Sequence, residues 1–225
     1  MLKAGLLVIF ASCPLIAEAA VMHASYEGAV NEVLYDTVGF FGGENPIGQP
    51  FWAEFTYDTD NGVVEVSSLG QFLYQGQDYG NGEPGSFTAR STSSSLTRQG
   101  NEALNASIMP EGFQGVPQLS HSGLSRVGTE SIGLIFQPEV VGSVPMSFDE
   151  PWSGDVVPSP FSGSMTWFTI TDEGPIINLW FNLSVTSLTV SSAPALVPLP
   201  PALPLLGASL LALAGLRRRA GRSLA

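Results

Sequence analysis

The chain has 225 residues, with 8 lysines and arginines against 20 acids, a formal net charge of −12 and a single cysteine. A field of that sign repels nucleic acid and anionic membrane surfaces, and one cysteine cannot build a disulfide framework. Two distant histidines, His23 and His121, fall short of the three or four ligands that a zinc site needs.

In chain order, Met1 to Ala19 reads as a secretory signal. Lys3 is the positive n-region, Leu6 to Ile16 is mostly apolar, and Ala17-Glu18-Ala19 is an A-x-A cleavage pattern. Cleavage after Ala19 is expected. The rival is lipidation at Cys13, against which the bulky Phe10 stands in Ile9-Phe10-Ala11-Ser12. The body that follows, Ala20 to Leu196, holds 177 residues by subtraction, sufficient for one domain with a sizeable core. Its basic residues are Arg90, Arg98 and Arg126; against nineteen acids they leave it at −16. Such a charge keeps an exported chain soluble or attracts divalent cations.

The body carries no long helical period. Its runs are short, rich in Val, Ile, Thr and aromatic residues, and punctuated by Gly, Pro, Asn and Ser. Strands are expected around 24–30, 51–57, 63–69, 87–96, 103–109, 130–136 and 163–171. From Phe51 to Tyr57 the alternation puts Phe51, Ala53, Phe55 and Tyr57 on one face and Trp52, Glu54 and Thr56 on the other. Asp58-Thr59-Asp60-Asn61-Gly62 then predicts a hairpin turn into the run from Val63 to Leu69. Pro138 to Pro160 holds five prolines and predicts loop with at most one short strand. In the last and longest strand Ile177, Leu179, Phe181, Leu183 and Val185 share one parity, whereas Leu188 and Val190 take the other. A slip of one residue would turn every later side chain to the wrong face, so a bulge is expected near Thr186 or Ser187. The expected fold is therefore all-β: a single antiparallel β-sandwich of jelly-roll type over 20–190. Helix is confined to the signal at one end and a membrane-spanning segment at the other, with 191–196 as linker.

Chemistry is sparse between the two ends. His121 lies in Gln118-Leu119-Ser120-His121-Ser122-Gly123, a loop-like run, and no G-x-S-x-G elbow offers it a serine. A solvated loop histidine is the reading set against a catalytic base. His23 falls three residues past the expected cleavage site, where fraying is expected. Gly80-Asn81-Gly82 lacks the lysine of a phosphate loop. Asp58, Asp60 and Glu65 loosely resemble a calcium loop without EF-hand spacing. The best cluster is Asp149, Glu150, Trp152 and Asp155 in F-D-E-P-W-S-G-D. There an exposed Trp could stack on a sugar, and the carboxylates could bind hydroxyls or calcium. The alternative is an acidic loop whose Trp packs into the core. No catalytic residue or cofactor is assigned.

The tail is the most informative stretch. Leu196 to Leu216 is 21 residues without a charge, closed by Arg217, Arg218 and Arg219, with Arg222 beyond. That length is a candidate span, and the arginines predict a cytoplasmic end, leaving the body on the far side. Pro198, Pro200, Pro201 and Pro204 keep its first third extended. A helix is therefore expected over 204–219. Its apolar part, Leu205 to Leu216, has 12 residues, roughly 18 Å against a bilayer core of ~30 Å.

Val197-Pro198-Leu199-Pro200, then Leu203-Pro204-Leu205-Leu206, an Ala/Leu/Gly helix and the triple arginine resemble the VPLPA-CTERM sorting signal, a variant of PEP-CTERM. Pro201 stands where the family's name has alanine. The resemblance covers about 25 residues and implies export by a Gram-negative bacterium, with processing by an exosortase near Val197 to Pro200. An ordinary C-terminal anchor helix is the alternative. Asp36 to Gly42, Gly48 to Phe51 and Phe55 to Asp58 also resemble the opening segment of many exported PEP-CTERM-type proteins, which supports β structure and export but supplies no activity. Together these imply a non-enzymatic cell-surface or extracellular-matrix protein. Its partners during export are exosortase and the secretion machinery; the membrane holds its precursor through the tail, and polysaccharide is a further partner outside the cell. The alternatives are a jelly-roll carbohydrate-binding module and a glycan hydrolase with paired carboxylates.

Overall fold

The computed structural model describes residues 21–192, apart from 44, 77–84 and 113–114. The signal segment with Ala17 and Ala19, and the tail with Val197 to Pro200 and Arg217 to Arg219, lie outside the described residues. Among the described residues the chain is all strand and loop. In order the strands are β1 (Val21–Asp36), β2 (Pro50–Asp58), β3 (Val63–Ser67), β4 (Gly70–Gln75), β5 (Ser86–Arg90) and β6 (Ser95–Gln99). They continue with β7 (Ala103–Met109), β8 (Gln118–Val127), β9 (Glu130–Phe136), β10 (Trp152–Asp155), β11 (Gly163–Thr171) and β12 (Gly174–Ser192).

Every pairing is antiparallel, in the order β3-β4-β7-β8-β9-β11-β12-β1-β2-β5-β6, with β10 also on β12. The centre is the pair of long strands β1 and β12. On its other side β12 meets β11 over Gly174 to Leu183 and β10 over Ser187 to Val190. The parity switch predicted for this strand is present: Glu27 pairs with Ser187 and Gly28 with Val185, so Thr186 is the bulged residue. Its hydroxyl donates to the Glu27 carbonyl at 3.2 Å. A bulge adds local twist, and two more register shifts follow in β1, after Val30 and Val33.

Those bends curl the sheet until its inner face meets itself. Tyr26 of β1 stacks on Phe136 of β9 with ring centroids 4.4 Å apart, although β12 and β11 stand between the two strands in the sheet order. Phe51 and Phe55 of β2 reach the same Phe136 ring. Phe181 receives Phe40 and Phe41 from the loop after β1. On β2, Phe51, Ala53, Phe55 and Tyr57 are buried, while Trp52, Glu54 and Thr56 face outward, as the alternation requires. Burial of rings of this size is the main stabilising term in such a core.

Three expectations need correction. The runs 51–57 and 63–69 do not form a hairpin: β2 lies between β1 and β5, and among the described residues β3 pairs only with β4, around the two-residue turn Ser68-Leu69. The Asp58 carboxylate accepts the Asp60 N–H at 3.0 Å and the Asn61 side-chain amide at 2.6 Å. Neither Asn61 nor Gly62 takes the positive φ of a tight hairpin turn. Gly62 instead lies close against a side chain, since a Cβ there would meet Leu73 Cδ1 at 2.3 Å. Second, 87–96 is two strands, joined by a turn in which the Ser91 hydroxyl accepts the Ser93 and Ser94 N–H groups. Third, the loop-like run around His121 is the long strand β8.

Candidate functional site

Three places hold polar or aromatic groups in number: the centre of the core, the acidic segment before β10, and the outer face of β1, β12 and β11. In the core, His121 is 1% exposed. It points from β8 toward β1 and β2 and is enclosed by Tyr26, Phe55 and Tyr57, with ring centroids 5.3 to 5.7 Å from its own. Tyr26 Oη and His121 Nδ1 are 2.5 Å apart. Burial lowers the His121 pKa to about 3 and raises that of Tyr26 well above its ordinary value. The imidazole is therefore neutral and the phenol protonated, and in the Nε2–H tautomer the phenol donates to Nδ1. Nε2 then carries the proton and has no hydrogen-bond partner among the described residues. A catalytic base must reach its substrate's proton; this one is sealed under three aromatic rings. His23 also departs from its expectation. It is not frayed but sits in β1 opposite Thr56, with Nδ1 2.9 Å from Glu54 Oε1.

The acidic cluster holds its own loop together. Glu150 accepts the Met146 N–H at 2.7 Å, and the Asp149 carboxylate accepts the Ser147 hydroxyl. Asp149 also lies near Tyr57, whose phenol is held protonated well above its usual range, chiefly by burial and further by that carboxylate. Trp152 packs half-buried against the core and donates its indole N–H to the Ser143 carbonyl at 2.8 Å. Asp155 is exposed in β10, opposite Ser187. The structure thus uses three of these four side chains in local contacts. Among the described residues no three His, Cys, Asp or Glu side chains are grouped to hold a metal ion.

The outer face was not singled out by the sequence. Cross-strand pairing lines up Tyr35, Trp180, Thr166 and Gly133 in one row, with Phe168 opposite Ile177 beyond it. A groove of about 280 Å³ is lined by Thr166, Phe168, Pro175, Ile177 and Trp180. Tyr35 is 48% exposed and Trp180 36%. In the adjacent row the Asn182 amide donates to Glu32 at 2.9 Å, next to Ser164. This face thus carries exposed rings with hydrogen-bonding groups in the adjacent row. The available signal was the parity of β12, which sends Trp180 to the face opposite Leu179 and Phe181. Comparison with protein-family models, with curated proteins and with solved structures finds no match to the chain.

Proposed function

We propose that the chain is an exported cell-surface or extracellular-matrix protein of a Gram-negative bacterium, whose body, a sandwich of jelly-roll type, has no catalytic role. The signal segment ending at Ala17-Glu18-Ala19 starts export. The tail from Val197 to Arg219 then holds an inner-membrane precursor with the body in the periplasm, until an exosortase acts near Val197 to Pro200. The observation that carries the non-catalytic part is the use of the body's polar groups: the buried histidine is sealed behind Tyr26, and the acidic cluster ties its own turn. Intact-mass measurement of protein recovered from a native host tests the sorting part; a mature form still ending at Ala225 rejects it.

A second reading, the carbohydrate-binding module, is favoured by the row of Tyr35 and Trp180, with Phe168 beyond it, rather than by the Trp152 cluster. Screening the purified protein against a glycan array, with and without calcium, tests it. Saturable binding that Trp180→Ala removes supports the module, and no binding leaves the structural role.

A further inference from the structure

The sheet is curled but, among the described residues, it ends at β3 on one side and at β6 on the other. These two edges are unlike each other. All five residues of β3, Val63-Val64-Glu65-Val66-Ser67, are exposed, with Val64 at 47% and Val66 at 77%. An edge strand whose Val64 and Val66 are so exposed is the kind that natural sheets otherwise blunt or cover. The β6 edge, Ser95-Leu96-Thr97-Arg98-Gln99, carries one of the three basic residues of the body.

Backbone alternation fixes which groups each edge offers. The β3–β4 hairpin closes Ser67 against Gly70 over two residues, so Ser67, Glu65 and Val63 bond toward β4. Val64 and Val66 consequently turn their N–H and C=O outward. In the β5–β6 hairpin the Ser91 N–H donates to the Ser94 carbonyl at 2.8 Å. That makes Ser91 and Ser94 a bonded pair, and it turns the backbone groups of Ser95, Thr97 and Gln99 outward. The Arg98 guanidinium on the Thr97 carbonyl, at 3.0 Å, agrees with this.

We propose that the β3 edge of one copy of this chain pairs antiparallel with the β6 edge of another, head to tail, to build an open-ended assembly. Bonding the outward residues of β3 to those of β6 puts Glu65 opposite either Leu96 or Arg98. The register that sets Val66 against Thr97 and Val64 against Gln99 places Glu65 opposite Arg98. An opposite-charge pair across strands stabilises that register, and like charges in the same place destabilise it. Pairing β3 with a second β3 about Glu65 would instead set two Glu65 carboxylates against each other. A contact between two different edges does not close on itself by a two-fold axis, so growth passes the dimer. This inference deepens the matrix reading by naming the partner, a second copy.

Sedimentation velocity of the full chain in detergent, across a range of concentrations, reads the outcome. The expected result is a weight-average protein mass that keeps rising past the dimer. Glu65→Arg and Arg98→Glu, each alone, should weaken association roughly tenfold, since each trades an attraction for a repulsion. The double variant should recover it, and so should an equimolar mixture of the two single variants, because each then meets its complement at both edges. Val66→Pro, which deletes an outward N–H and leaves the β3–β4 ladder intact, should also stop growth. A monomer at all concentrations overturns the proposal. So does a dimer that does not grow, or an assembly indifferent to the charge reversals, which would place the contact in the tail or elsewhere. The sorting reading fails separately, through the mature mass in a native host, whatever this experiment gives.

Discussion

His121 and Glu150 are each held by a short hydrogen bond, 2.5 Å to Tyr26 and 2.7 Å to the Met146 N–H, yet the two bonds sit in opposite surroundings. Inside, the partners have lost all their water, so the imidazole cannot charge and each group depends on the other. At the surface the carboxylate has solvent as a second partner. The same kind of contact is therefore costly to break in one place and almost free in the other. The interior should respond to every change in volume or protonation, and the acidic loop should tolerate both.

The largest expected effect is Phe136→Ala. It removes the ring on which Tyr26 stacks and which Phe51 and Phe55 touch, and should cost about 3–5 kcal/mol, measured by urea denaturation. Acid comes next. The unfolded histidine titrates near its ordinary value of 6.5, and the folded one only at about 3. A depressed folded pKa means that this stability is complete above pH 6.5 and is lost as the pH falls toward 3. Over that window the unfolded chain binds the proton that the folded chain refuses, a slope of up to about 1.4 kcal/mol per pH unit. His121→Gln should remove that component, and parallel slopes in the two proteins would show that His121 is not sealed. Tyr26→Phe strands Nδ1 without its partner and should cost about 1–3 kcal/mol, with the midpoint in urea as the readout. Smallest is Glu150→Gln, which keeps an acceptor for Met146 and should shift stability by no more than ~0.5 kcal/mol. An effect as large as that of Tyr26→Phe would erase the contrast between the two regions.

Strand existence was legible where the inward residues are large. On β12 the switch from Phe181, Leu183 and Val185 to Leu188 and Val190 placed the bulge at Thr186 or Ser187, because a period of two leaves no other way to keep them buried, and it falls at Thr186. The strand carrying His121 was illegible for the opposite reason. Its inward positions are Leu119, His121, Gly123 and Ser125, too small and polar to show a period. Gly123 is required there because a Cβ would lie 2.4 Å from the Phe87 ring, a contact supplied by the curl of the sheet and invisible in local sequence. Pairing was less legible than strands. Asn61-Gly62 looks like a hairpin turn, but the Gln75 side chain, donating to the Asp58 carbonyl and accepting its N–H at 3.3 Å, fixes a crossing there. The Trp180 row was hidden too, since it is assembled from strands far apart in the chain.

The pairing of β1 with β12 also governs when this protein can fold. Met22 pairs with Ser192 and Asp36 with Leu179, so the central ladder joins the first described strand to the last. The order of synthesis delivers β1 first and its partner last, and the cost of closing so long a loop falls due before the ladder returns anything. Hairpins such as β3–β4 and β8–β9 can form as the chain emerges, but they lack the strand pair that joins the two flanks of the sheet. A chain threaded through a narrow channel from its N-terminus would therefore stay unfolded until almost all of it had passed, and would then close late, around its final strand.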